Sequence, residues 1–201
     1  MRRSHLISLL LVLMLCGSLF SASSSQAAPQ AGSWLDANCP FSVPRDLKAR
    51  CGWLYVPEDH SKADGPLIRL SVAIVPARTK PQAEPLLYLS GGPGSGALLS
   101  TVSFAKGCAS FVANRDFVVI DQRGTGFSQP SLACPETQAI DIELLTRPVT
   151  REEKVRSEMD AMLRCRERLM AQGIDLTAYT SAQSAADLAM LRQALGYSSW
   201  N

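Results

Sequence analysis

The sequence predicts an α/β fold, with a mostly parallel sheet behind an antiparallel N-terminal hairpin and the architecture incomplete within the chain. Three patterns predict it. Two strand-like segments flank a turn signal near residues 63–65. A short apolar run, a glycine loop, a helix-compatible stretch and a second apolar run follow one another over 85–124, the order of a βαβ unit, which needs parallel strands. The remainder carries helical periodicity.

The N-terminus is set apart first. "MRRSH" is a basic head, "LISLLLVLMLCGSLF" an apolar run, and "SASSSQAAPQ" a small polar stretch with Ser25-Gln26-Ala27 as a cleavage site. That is the pattern of a secretory signal peptide over 1–27, with one domain over 28–201. The run is short for a membrane span, so no membrane association is expected after cleavage. A lipoprotein anchor at Cys16 is the weaker alternative, because large Leu15 precedes it.

Residues 29–50 read as irregular. "CGWLYVP" (51–57) reads as a strand closed by Pro57, and "LIRLSVAIVPA" (67–77) as its hairpin partner across "ADG" (63–65). "PLLYLS" (85–90) and "DFVVIDQRG" (116–124) are buried strands, with a helix over 95–114 broken near Gly107. In the second half Thr150 and Glu153 form a capping box. Val155, Met159, Met162, Leu163, Leu169 and Met170 then share one helical face, read as core packing, and Gly173 ends the helix. A second helix covers 184–197, with Ser184 and Asp187 at its start and Gly196 at its end. "SSWN" reads as the start of another strand.

The 201 residues are 46% hydrophobic, enough for one domain core. Without Arg2 and Arg3 the basic and acidic residues are equal in number, at eighteen each, and no basic cluster stands out, which argues against a nucleic-acid partner. Five cysteines remain. Cys39 and Cys51 flank a loop, while Cys134 lies in a loop and Cys165 in a helix. Pairing Cys39–Cys51 and Cys134–Cys165 is the reading taken, although spacing does not determine connectivity. Cys108 is left as a buried thiol or a partner for something outside the chain. No C-x-x-C pair exists and one histidine remains, so a metal site is not expected.

The loop "SGGPGSG" (90–96) allows three readings. Gly92-x-Gly94-x-x-Ala97 matches a dinucleotide fingerprint, but Pro93 sits beside the phosphate turn and Asp121 lies too far along for the ribose acid. The loop is otherwise a tight structural turn, or an oxyanion hole in which glycine lets a substrate carbonyl approach a backbone N–H.

"SGGPGSG" followed by "DQRGTGFS" (121–128) resembles the proline iminopeptidase and tripeptidyl aminopeptidase family of α/β-hydrolases. There the loop is usually H-G-G-P-G and the second motif D-Q-R-G-x-G-x-S. The likeness runs from "CGWLYVPEDH" to "DLAMLRQALGYSSWN", about residues 39 to 201. It departs at Ser90, where many members have His. The resemblance implies a secreted or periplasmic serine peptidase acting on peptides without cofactor or metal. It implies Gly92 as the oxyanion donor, with Gly91 the fallback, and Asp121 and Arg123 as structural support that ties the turn together; a solvated turn is the bland reading of both. An esterase or lipase on the same fold and a non-catalytic binding remnant are the alternatives.

The family nucleophile sits in G-x-S-x-G, and no such segment occurs in the 201 residues. His60, within "PEDHSK", reads as a solvated loop residue. No acid or base of a triad can be nominated. The chain alone is therefore expected to be inactive and, lacking the strand that carries the nucleophile, to expose an aggregation-prone sheet edge. Its oligomeric state is not legible.

Overall fold

The computed structural model describes residues 28–201 apart from Ala63, Pro93, Cys108 and Phe111. The reading of 1–27 as a signal peptide and the question of Cys108 lie outside the described residues. Five strands form one sheet: β1 (Trp34–Ala37), β2 (Arg50–Pro57), β3 (Leu67–Val75), β4 (Leu86–Tyr88) and β5 (Phe117–Ile120), in the order β1-β2-β3-β5-β4. The helices are α1 (Thr101–Gly107), α2 (Pro135–Leu144), α3 (Arg151–Ala171) and α4 (Ser181–Ala194).

The hairpin β2–β3 pairs Arg50 with Ile74 through to Pro57 with Leu67. The sheet is not mostly parallel, as the sequence suggested. Only β4 and β5 run parallel; the other three pairings are antiparallel. A parallel pair needs a crossover connection, and the described chain contains one, through α1. β1 lies within 29–50, expected to be irregular; its four residues carry no clear alternation. It is held by tertiary contacts instead. The Trp34 indole lies where a Cβ on Gly52 would be, and Arg50 Nε reaches Asp36 Oδ1 at 2.7 Å.

Each sheet face has its own core. On one, Val75, Phe117 and Val119 pack with Leu98 and Ala105 from the α1 region. On the other, Leu54, Val56, Leu70, Val72, Val118 and Ile120 pack against Leu191 of α4. All four residues of β5 are buried, as expected for a strand covered on both sides. At the free edge of β4, Asn201 N donates to Pro85 O at 2.9 Å and Leu87 N to Asn201 O at 2.8 Å. The last residue thus makes the bonding pattern of a neighbouring parallel strand.

The helices α2 and α3 form a separate hairpin over a small cluster of Cys165, Leu169 and Ile174. Disulfides join Cys39 to Cys51 and Cys134 to Cys165. α2 begins with Cys134 as its cap and Pro135 at its first position; with no side chain buried, it carried no core-facing stripe to read. The capping hydroxyl of α3 is present, with Glu153 N donating to Thr150 Oγ1 at 3.1 Å. The face of α3 differs from expectation. Val155, Met159, Met162, Leu163 and Met170 are exposed, while Ala161, Cys165 and Leu169 are buried. The disulfide and the Arg168–Glu136 pair, at 2.6 Å, set the rotation of the helix and turn its methionines outward.

This distinction is measurable. Leu169→Ala should destabilise the protein by about 2–4 kcal/mol, since a buried leucine is replaced by a cavity. Met162→Gln should change stability by less than about 0.5 kcal/mol. Urea unfolding of both variants checks it; equal losses would mean that the methionine face is covered.

Candidate active site

β4 delivers the chain into the glycine loop, and β5 delivers it into the turn Asp121–Ser128. The two are stitched by Asp121, only 1% exposed. Its Oδ1 accepts Ala97 N at 2.5 Å and Leu98 N at 2.9 Å; its Oδ2 accepts Phe127 N at 2.7 Å. A buried carboxylate is tolerable when its oxygens are filled by N–H donors in this way. The glycines make room for it. A Cβ on Gly126 (φ +51°) would collide with the Asp121 carboxylate, and one on Gly96 would lie 2.7 Å from Gly126 Cα. Ser128 Oγ donates to Asp121 O at 2.5 Å and accepts from Ser71 N at 2.9 Å, tying the turn to β3.

Asp121 and Arg123 do not pair with each other. Arg123 reaches instead to Asp187 on α4, with Nε to Oδ2 at 2.8 Å and Nη2 to Oδ1 at 2.6 Å. Its remaining donors go to the carbonyls of Pro57, Glu58 and Ala178. Arg and Asp side chains are each 2% exposed, so the turn is not solvated. His60 also departs from the reading of a solvated loop residue. Its Nε2 lies 2.8 Å from Asp187 Oδ1 and its backbone N donates to Gln183 Oε1 at 2.9 Å. The sequence predicts Asp187 in the first turn of its helix, but α4 begins a turn earlier, capped by Thr180, whose hydroxyl accepts Gln183 N at 3.3 Å. Asp187 is therefore an interior, buried acid. A carboxylate on a helix whose neighbours are mostly small and apolar was the available signal, but its partner, 64 residues away, is not visible in a linear reading.

Beside this network Glu58, 5% exposed, accepts from Tyr179 Oη at 3.2 Å and Asp175 N at 3.3 Å. Burial and the Glu58 carboxylate hold the Tyr179 phenol well above its usual range, so it remains a donor.

Together these elements enclose an open cleft of about 880 Å³. Leu89 to Gly92 and Gly94 form one wall, Gln122 to Gly126 the floor, and Ser181, Ser184 and Leu188 of α4 the other wall. Gly92 has φ +136° and Gly94 φ +90°, a region L side chains rarely adopt. Gly91 has nothing within 4 Å of a notional Cβ. Among the described residues no acceptor engages the Gly91 or Gly92 N–H. No hydroxyl lies within hydrogen-bond reach of His60 among the described residues, so a nucleophile–base pair is not assembled here. Cys134, Glu136 and Cys165 cluster closely enough to suggest metal ligation, but both sulfurs are in the disulfide and Glu136 is paired with Arg168. No described helix is long and apolar enough to cross a membrane.

The class defined so far is an α/β protein whose strand-to-glycine loop, braced by a buried aspartate, lines an open cleft. No family model matches the chain. The chain is 30% identical over 188 residues to a tripeptidyl aminopeptidase of Streptomyces coelicolor, a match covering 88% of this chain and 34% of that protein. It is 30% identical over 135 residues to the serine protease Hip1 of Mycobacterium tuberculosis, covering 64% and 26%. It is 30% identical over 94 residues to the putative hydrolase YuaR of Escherichia coli, covering 43% and 19%. The chain is thus similar to tripeptidyl aminopeptidase-like serine peptidases, and spans about a third of the length of the first of them.

The clamp makes a testable demand. Asp187→Asn leaves the Arg123 guanidinium buried without its counter-ion and should cost about 3–5 kcal/mol. Arg123→Met with Asp187→Leu should recover only part of that loss: both charges and their desolvation are gone, but the carbonyls of Pro57, Glu58 and Ala178 and the His60 ring lose their partners. Thermal unfolding of the single and double variants decides it; equal losses would contradict the clamp.

In the loop after β2, hydrogen bonds from Ser61, and then Lys62 and Gln183, hold the Asp59 carboxyl well below its usual range. Thr177 and Lys62 lower Asp175, and the two acids in turn raise Lys62. Carboxylates depressed in the folded state contribute stability that is present above roughly pH 4, their unfolded pKa, and lost as pH falls through the folded value. Lys62 acts in the opposite sense, its contribution being lost as pH rises through its folded pKa. The melting temperature should therefore fall below about pH 4, and Asp59→Asn with Asp175→Asn should flatten that acid limb. An unchanged limb in the double variant would assign the acid sensitivity elsewhere.

Proposed function

We propose that this chain forms the oxyanion side of the active site of a secreted serine hydrolase of the α/β-hydrolase fold. The activity proposed is that of an aminopeptidase releasing N-terminal residues or short peptides. The observation that carries the reading is the braced glycine loop lining the cleft, in a chain similar over 88% of its length to a tripeptidyl aminopeptidase. A serine oxygen attacking a peptide carbonyl drives negative charge onto the carbonyl oxygen. A backbone N–H fixed in advance stabilises that charge without reorganising. Gly92 is the proposed donor and Gly91 the fallback. Asp121 holds the far end of the loop, and Arg123, through Asp187, holds the facing helix.

Acyl transfer also needs a hydroxyl, a base and an orienting acid within mutual reach. The 201 residues contain no G-x-S-x-G segment, and the one described histidine is engaged by Asp187. The 201-residue chain alone is therefore proposed to be inactive. Export through residues 1–27 supplies the oxidising environment in which the two disulfides form. No cofactor is required by this chemistry.

The test compares two proteins, the 201-residue chain and the product of the complete coding sequence, with a fluorophosphonate probe and with peptide p-nitroanilides bearing a free N-terminus. The chain alone should show neither labelling nor hydrolysis. The complete product should show both, and Gly92→Ala, which keeps the N–H but cannot easily hold φ +136°, should displace that donor and lower kcat by up to about 100-fold. A complete product that neither labels nor hydrolyses would sink the proposal.

A further inference from the structure

Ser90 stands at the entrance of the glycine loop, where the family that the sequence resembles often has His. The brace in this molecule comes from the opposite side. Gln122 Nε2 donates to Ser90 O at 3.0 Å, in a partly buried contact across the floor of the cleft. The Ser90 carbonyl and the Gly91 N–H belong to one planar trans peptide unit and point in opposite directions. Holding the carbonyl therefore fixes the direction of the Gly91 N–H.

The residues that follow need such a constraint. Gly91 has no contact that a side chain would provide, and Gly92 and Gly94 occupy left-handed backbone conformations. Consecutive glycines sample the widest backbone space of any residues. The far end of the loop is already fixed by Asp121 at Ala97 and Leu98. The near end has the Gln122 bond. Gln122 is itself anchored, because Thr125 Oγ1 donates to its backbone carbonyl at 2.9 Å.

We propose that Gln122 is a positioning residue for the Gly91–Gly92 backbone: its carboxamide locks the Ser90–Gly91 peptide plane, which fixes the Gly91 N–H directly and sets the point from which the chain carries the Gly92 N–H towards the developing oxyanion. The proposal rests on the oxyanion reading above for its catalytic consequence, but not for its geometric one. Asp121, Gln122 and Arg123 then divide the work. One holds the end of the loop, the next its beginning, and the third the facing helix.

The experiment uses the product of the complete coding sequence. Gln122→Glu keeps the shape and removes the donor; Gln122→Leu removes both polar atoms and guards against misfolding of either variant alone. Each should lower kcat by about 10- to 100-fold, the scale of a misplaced catalytic group, with KM changed by less than about twofold. The affinity for a peptide trifluoromethyl ketone, which presents an oxyanion, should fall by the same factor as kcat/KM. The melting temperature should be unchanged, and the NMR order parameters of the Gly91 and Gly92 amides should fall as the loop loosens. Unchanged kcat, or a loss of kcat with the ketone affinity intact, would overturn the proposal. If the unsubstituted protein neither labels nor hydrolyses, the oxyanion reading falls by itself. The order parameters of the two amides then decide the positioning claim: lower values in both variants uphold it, and unaltered values overturn it.

Discussion

The buried carboxylate of Asp121 is the constraint on which the rest of the site depends. It lies at the end of the most buried strand and accepts three backbone N–H groups from two segments that share no secondary structure. An apolar side chain of that size would leave three donors without partners in a dry environment, each costing about 1–3 kcal/mol. The glycine at 126 is a consequence of this choice rather than an independent feature, since any side chain there would occupy the space of the carboxylate. Gly96 follows from it in turn, because the loop must approach Gly126 closely enough for its following amides to reach the acid.

A second buried charge organises the opposite wall. Arg123 has its five N–H donors directed at Asp187 and at three carbonyls from two separate segments. A planar guanidinium can fill that arrangement, and a lysine cannot. The ion pair thereby joins the end of β2, the turn after β5 and the middle of α4. His60 completes the carboxylate's shell from the loop after β2. These are tertiary closures, made by residues more than fifty positions apart.

The α2–α3 hairpin follows different rules. It hangs on one disulfide and a three-residue cluster, and most of its large apolar side chains face outward. Its helical nature comes from local signals, namely a threonine cap, a proline at the first position of α2 and a left-handed glycine after α3. Which of its faces turns inward does not. Cys165 must meet Cys134, and that requirement rotates the methionine stripe away from the body of the molecule.

The sequence by itself determined the elements whose signals are local. The β2–β3 hairpin, the strand–glycine loop–helix–strand order, β5 as a buried strand, the cap of α3 at Thr150 and its stop at Gly173 were all legible, because periodicity and turn chemistry act over a few residues. The glycine loop and the motif at 121–128 were legible as a pair, and residues of both line the cleft. Tertiary structure alone decided the partners. β1 exists because Gly52 leaves room for Trp34. The sheet is mixed because β5 inserts between β3 and β4. Arg123 turns to Asp187 and not to Asp121, Gln122 reaches back to Ser90, and His60 is drawn out of solvent. Each of these depends on where a distant segment lies once the sheet has closed, and a hydrogen bond between residues far apart in the chain leaves no spacing or period to read.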